Sequence, residues 1–249
     1  MQQGGPLLPL PPPPPCSIST QGSVALKSHE EVRNSSGGFH GSANRHPAGM
    51  AAPVPAPPTS TTDAPQKLYD HEELFEVFDE KTVDKCGTEK RGIVHRKGLL
   101  HKSVNVWIIN KNSEVLLQKR HKNKSICPGH WDLSCAEHLQ PGEDYLQAAI
   151  RGLKEELGIE VEDKALKTLR EQNRKYYSYP SLNIIDNELT MLYSLSYDGS
   201  FKIDTVEVSE ILWIPMSELK EDVDAADSAR RKRQYTPWCL DDARFLPTN

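Results

Sequence analysis

The sequence of 249 residues is poor in several features, and each shortage removes a class of protein. No apolar run approaches the ~20 residues that cross a bilayer, so a membrane partner is not expected. The five cysteines, Cys16, Cys86, Cys127, Cys135 and Cys239, are an odd set without a CxxC pair. That argues for a reducing, cytoplasmic compartment and against a disulfide framework or zinc ribbon. Basic residues are a minority: 30 Lys and Arg against 35 Asp and Glu leave a net charge of −5, with no general character calling for a nucleic-acid partner. The cluster RRKR at 230–233 is the local exception, readable as a phosphate-contact or nuclear-import signal and equally as solvated surface. Aromatics are scarce where proline is dense: 13 of the 19 prolines precede residue 66, and Phe39 is the sole aromatic there. Residues 1–66 therefore read as a disordered, Pro-rich region lacking the apolar surface that offsets chain entropy, and residues 67–249 as the folded domain. The N-terminal stretch has serines and few acids, as transit peptides do, but little Arg and much Pro; organelle targeting stands beside the cytoplasmic reading.

Within the folded part, LFEVFDE alternates as a strand and DKCGTEKRG follows as turn material. Residues 103–120, SVNVWIINKNSEVLLQKR, are the clearest hairpin: a β-branched and aromatic run, the turn NKNS, then a second apolar run that becomes basic. HWDLSC follows the Pro128-Gly129 turn as a short strand. Further strands are expected in ALKTLREQNR, NELTMLYSLSYD and VSEILWIPM, a helix in MSELKEDV capped by Ser217, and a last helix from Pro237. Strands around a few helices, without regular βαβ alternation, predict an α+β domain with a mixed sheet.

The best-determined element is a helix over 143–157. Leu146, Ala149, Ile150, Leu153 and Leu157 share one face at helical period, and Gly158 follows as a stop. Positions 152, 155 and 156 are expected to cluster away from that stripe. Acids projecting from one face suit a hard divalent cation held against a diphosphate. The run KEE is also ordinary helix surface, and the helix alone does not decide between the two.

Glu143, Arg151, Leu153, Glu155, Glu156, Gly158 and Ile159 together resemble the signature of the Nudix superfamily, G-x5-E-x7-R-E-U-x-E-E-x-G-U, with U aliphatic. The resemblance covers roughly residues 72–246. It implies a Nudix-type α/β/α sandwich, a diphosphate substrate and Mg²⁺ or Mn²⁺ held by Glu143, Glu155 and Glu156, one acid also serving as base to water. Arg151 would pair with Glu143 to orient the helix. Two positions depart: Glu137 stands for the leading Gly, and Gly152 for the Glu after Arg151, at a cost of about 1 kcal/mol relative to Ala within a helix. Glu137 is a candidate replacement carboxylate.

The segments VHRKGLLHKSVNVWIIN and NKSICPGHWDLSCAEHLQPGEDY further resemble the branch containing type I isopentenyl diphosphate isomerases and related hydrolases. That resemblance implies metal ligands at His95, His101, His138, Asp186 and Glu188, with Glu188 exchanging protons. An isomerase also needs a cysteine opposite that glutamate. Aligned through Trp131 and His138, that position is Ala136. Cys135 is one residue early and, in a strand, on the other face. Lys119 and Arg120 are candidate phosphate contacts and Trp238 a candidate cover for the substrate's apolar part. The leading expectation is a Mg²⁺-dependent hydrolase of a small-molecule diphosphate. An isomerase-like enzyme and a catalytically weak diphosphate-binding domain stand as alternatives, and oligomeric state is left open.

Overall fold

A computed structural model describes residues 72–225 and 227–247; the expected Pro-rich region 1–66 lies outside the described residues. A two-stranded sheet pairs β1 (Leu74–Phe78) with β2 (Lys85–Lys90), and α1 (Arg91–Lys97) follows directly. The main sheet has seven strands: β3 (His101–Ile109), β4 (Glu114–Arg120), β5 (Trp131–Asp132), β6 (Cys135–His138), β7 (Leu166–Tyr179), β8 (Ile184–Ser196) and β9 (Val208–Pro215). It is mixed, because β3 runs parallel to β8 while the other pairings are antiparallel. Helices α2 (Tyr145–Leu157), α3 (Met216–Asp224) and α4 (Pro237–Ala243) cover its two faces.

The alternation of β3 sorts the core into two layers. Val104, Val106 and Ile108 pack with Ala148, Ala149, Leu153 and Leu157 of α2. Trp107 packs on the opposite face with Leu219 of α3 and Trp238, Cys239 and Ala243 of α4. The result is the expected α+β sandwich with a mixed sheet.

The sheet forks. Strands β3 and β4 pair at Ile109 and Val115 beside their turn; beyond it β6 takes the edge of β3, and β5 and β9 pair with β4. Ser134, fully buried between β5 and β6, bridges the arms: its hydroxyl accepts from Ile108 N and donates to Leu116 O, both at 2.7 Å.

Several local expectations are corrected. Helix α2 starts at Tyr145, because Asp144 and Gln147 form a reciprocal capping box: the Asp144 side chain accepts from Gln147 N, and the Gln147 side chain accepts from Asp144 N, each at 2.9 Å. Gly152 and Glu156 are buried, since β6 and the 201–207 loop close over the side of the helix read as free. Ser217 lies inside α3, whose cap position is Pro215. The stretch read as turn material contains β2 and leads into α1. Basic Lys232 and Arg233 pair with Glu218 of α3, and Arg231 Nε donates to Asp222 O, so RRKR ties the chain to that helix. Cys127, Cys135 and Cys239 are free thiols. No helix among the described residues is long and apolar enough to cross a membrane.

Candidate active site

A cavity of about 440 Å³ opens at the fork. Its base is a cluster of three histidines and two acids from four elements: His95 of α1, His101 of β3, His138 of β6, and Asp186 and Glu188 of β8. The β3–β8 register sets His101 opposite Glu188, and the period-two spacing of 186 and 188 puts both acids on one face. His95 is brought in by the end of α1. Gly98 caps it with φ of 62° so close to β8 that a Cβ would lie 2.7 Å from Ile185 Cγ2, and Asn187 Nδ2 donates to Gly98 O at 2.9 Å.

Ligand atoms of His95, His101, His138 and Asp186 lie within 4.8 Å of one another. His101 Nε2 is 3.5 Å from Asp186 Oδ1, and His138 Nε2 is 3.1 Å from Glu188 Oε1. His101 Nδ1 is 3.0 Å from Leu99 O; donating there leaves the Nε2 lone pair facing the cluster. His95 Nε2, His101 Nε2 and Asp186 Oδ1 are buried and make no hydrogen bond within the protein. Native interiors seldom leave three converging polar atoms unpaired, and a cation would satisfy all of them. Phe75 of β1 seals the cluster, its ring stacked on His138 at 4.5 Å and His101 at 5.3 Å. Burial first, then the neighbouring imidazoles, push His95 down to about 2 and His101 to about 4, so both are neutral and ligand-ready. Burial and the Glu188 charge raise Asp186 to about 7. Glu188 itself is held well below the usual carboxylate range, because the His138, His101 and Lys175 partners outweigh its burial.

A second donor set sits on the other face of β6. Glu137, Glu156 of α2 and Glu207 offer oxygens within 4.8 Å of one another. Adjacent residues Glu137 and His138 thus serve different sets from opposite faces of one strand. Glu207 is delivered by a loop pinned to the end of α2, through Asp204 N to Glu156 O and Lys202 N to Leu157 O, both at 2.9 Å. Burial, with Glu137 and Glu207 adding to it, raises the Glu156 carboxyl well above its ordinary range. Gln118 Nε2 donates to Glu156 Oε2 at 2.9 Å. All-oxygen donors suit Mg²⁺ or Mn²⁺, whereas an imidazole-rich set suits Mn²⁺ or another first-row ion better than Mg²⁺.

The remaining expected residues divide. Glu143 is engaged by Arg151 through two bonds, at 2.8 and 3.0 Å, and accepts from Gln140 N at 2.8 Å, so it braces the helix entry. Arg151 Nη1 also reaches Glu137 at 3.0 Å and Glu155 at 3.1 Å. Glu155 lines the cavity rim with its side chain exposed. Arg120 lines the cavity, paired with Asp132 at 3.2 Å and lying over the Trp238 ring at 5.3 Å. Trp238 lines it too, carried by α4, which is tied down by Lys175 Nζ and Asn105 Nδ2, each 2.6 Å from Asp242 Oδ2. Lys119 points away from the cavity, pairing with Glu210 at 3.4 Å, because it alternates with Gln118 and Arg120 along β4. Lys124, on the loop after β4, lines it instead and pairs with Glu207 at 3.1 Å. Cys135 is fully buried toward α2, and Ala136 lines the cavity. Glu207, Gln118, Phe75 and Arg91 also contribute and were not anticipated; each is a single residue outside any spaced motif.

Comparisons with known proteins point to one family. The NUDIX domain profile matches residues 99–239. Nudix hydrolase 3 of Arabidopsis thaliana is 32% identical over 175 residues, 67% of this chain, which spans 22% of that protein's length. An isopentenyl-diphosphate Delta-isomerase of Dinoroseobacter shibae is 31% identical over 146 residues, 58% of this chain and 77% of that protein. Among solved structures, DR0079 from Deinococcus radiodurans superposes with a TM-score of 0.53 at 19% identity, covering 69% of this chain and 98% of that one, a likeness of fold.

Proposed function

This chain belongs to the Nudix family, and from that premise we propose that it is a divalent-metal-dependent hydrolase of a small-molecule diphosphate. The observation that carries the reading is the pair of donor sets, one of imidazoles with Asp186 and one of carboxylates, opening from opposite faces of β6 into one cavity. His95, His101, His138 and Asp186, with Glu188 beside them, would hold one cation; Glu137, Glu156 and Glu207 would hold another. A bound divalent cation supplies neutralisation of phosphoryl oxygens and a more acidic water. Arg120 and Lys124 line the same cavity and offer cationic donors to phosphate oxygens. Trp238, Ile126 and Ala136 give the cavity its apolar wall. Rim-exposed Glu155, and Glu156 once a neighbouring cation has driven off the proton that burial favours, are the candidate groups to take a proton from water.

A second reading, isomerisation of an isoprenoid diphosphate, is favoured by Glu188 lying beside His138 in this cavity. It needs a second proton-handling group opposite, and the residue facing the cavity there is Ala136. A binding domain without turnover is the third. The test incubates the full chain with Mg²⁺ or Mn²⁺ and a panel of nucleotide and prenyl diphosphates, following phosphate release and isomer composition together. Metal-dependent release, abolished in Glu156→Gln and in His138→Ala, is expected. Isomer exchange without release, or no turnover of any substrate, would overturn the hydrolase reading.

A further inference from the structure

The two departures from the family signature meet in space. A Cβ built on Gly152 would lie 2.3 Å from Glu137 Cγ, 3.3 Å from Glu137 Cβ and 2.9 Å from Cys135 Sγ. Gly152 is therefore more than a missing acid: its bare Cα leaves the passage through which the Glu137 stem reaches Glu156 and Glu207. We propose that residues 137 and 152 are a compensated pair, in which the carboxylate absent from the helix at 152 is delivered from β6 by Glu137 to complete a cation seat with Glu156 and Glu207.

A second observation points to a ligand at the same place. Gln118 is 5% exposed and lines the cavity, and its amide nitrogen holds Glu156, yet its carbonyl oxygen Oε1 is buried with no partner. A cation among the three carboxylates would be a partner for that oxygen. The Arg151 contact to Glu137 at 3.0 Å leaves the second Glu137 oxygen available and fixes the side chain's direction. Restoring the family residue at 152 alone therefore does not restore a ligand. It forces two side chains into one space, and it collides with the β6 acid already there.

The inference rests on the metal-dependent reading of the cavity, and its test is independent of turnover. Mn²⁺ binding to the full chain is followed by calorimetry and by the spin-resonance signal of free Mn²⁺. Wild type is expected to show two classes of site. Glu137→Gln, which keeps the volume and the Arg151 contact, should lose one class, and His101→Ala should lose the other. Exchanging both residues, Glu137→Gly with Gly152→Glu, should recover at least part of the class that Glu137→Gly alone loses. In chelator, Gly152→Ala should raise the unfolding equilibrium constant of wild type roughly tenfold or more, and that penalty should shrink in a Glu137→Ala background. The Cys135 contact is common to both backgrounds and cancels in the comparison. Two Mn²⁺ classes persisting unchanged in Glu137→Gln would overturn the proposal, leaving Glu137 as a partner of Arg151 only. Equal penalties for Gly152→Ala in the two backgrounds would overturn it as well. If these measurements come out as expected while no diphosphate is hydrolysed, the functional reading fails and the compensated pair stands.

Discussion

Substituting Asp186→Asn changes the way stability depends on pH, with a sign fixed by the histidine cluster. In metal-free protein the Asp186 carboxyl is raised from its ordinary 3.8 to about 7, so between these values the folded state holds a proton that the unfolded chain has released. That contribution is fully present below pH 4 and is lost as pH rises through 7, on the order of 4 kcal/mol in all. His95 and His101 act oppositely. Their folded values of about 2 and about 4 lie below the ordinary 6.5, so between about pH 4.5 and 6.5 the unfolded chain binds two protons that the fold excludes. The lowered Glu188 adds to the same slope only near pH 4.5, where the unfolded carboxyl is half protonated, and it is common to both proteins. The balance for these groups is one extra proton on the unfolded chain, so their joint contribution rises by about 1.4 kcal/mol per pH unit toward neutrality. Removing the Asp186 proton leaves two, or about 2.7 kcal/mol per unit. Other buried acids, including Glu156 and Asp242, are common to both proteins and cancel. Urea unfolding in EDTA at half-unit steps from pH 4.5 to 6.5 measures both lines. The expected result is a steeper line for Asp186→Asn; parallel lines, or a shallower one for the variant, would refute the protonation assigned to this cluster.

Other expectations follow from the same geometry. Mn²⁺ at a hundred times its dissociation constant should stabilise the chain by about 2.7 kcal/mol, raising Tm by roughly 5–11 °C over EDTA-treated protein, and scanning calorimetry should find the shift reduced in His101→Ala. Lys175→Met strands the fully buried Asp242 and should cost about 3–5 kcal/mol in chemical denaturation; an exposed-lysine cost below about 0.5 kcal/mol would contradict the buried pair. Ser134→Ala orphans a buried N–H and a buried carbonyl at once and should cost about 1–3 kcal/mol for each, read from the same curves. Thiol labelling checks the facing of β6: Cys135 should resist a small alkylating reagent in the folded protein, while Ala136→Cys should add a reactive thiol in the cavity.

Much of this arrangement was legible in the residues, and the rest failed for identifiable reasons. The hairpin at 103–120 was readable because β-branched residues alternate around a strong turn. The face of Cys135 and Ala136 followed from period two once the resemblance had aligned Trp131 and His138. The histidines emerged through resemblance, since scattered residues carry no period. Helix α1 was hidden because seven residues with a glycine and two β-branched neighbours have little helical preference; its packing against β8 holds it. The stripe on α2 was drawn too narrow because hydrophobic period counts only apolar side chains, while Gly152 and Glu156 are buried by β6 and the 201–207 loop. Glu207 and Gln118 offered no signal, for their roles depend on loop anchoring and strand pairing between residues far apart in sequence.

The fork in the sheet has a consequence for inheritance. One arm, β6–β3–β8, carries four of the five members of the histidine cluster, and the other, β5–β4–β9, carries Arg120 and Trp131. Since the arms join at one backbone pairing and the Ser134 hydroxyl, replacements on the second can accumulate while the first keeps its ligand geometry. A lineage built this way can alter one wall of the cavity without rebuilding the histidine cluster, and relatives bearing different reaction names can share one scaffold.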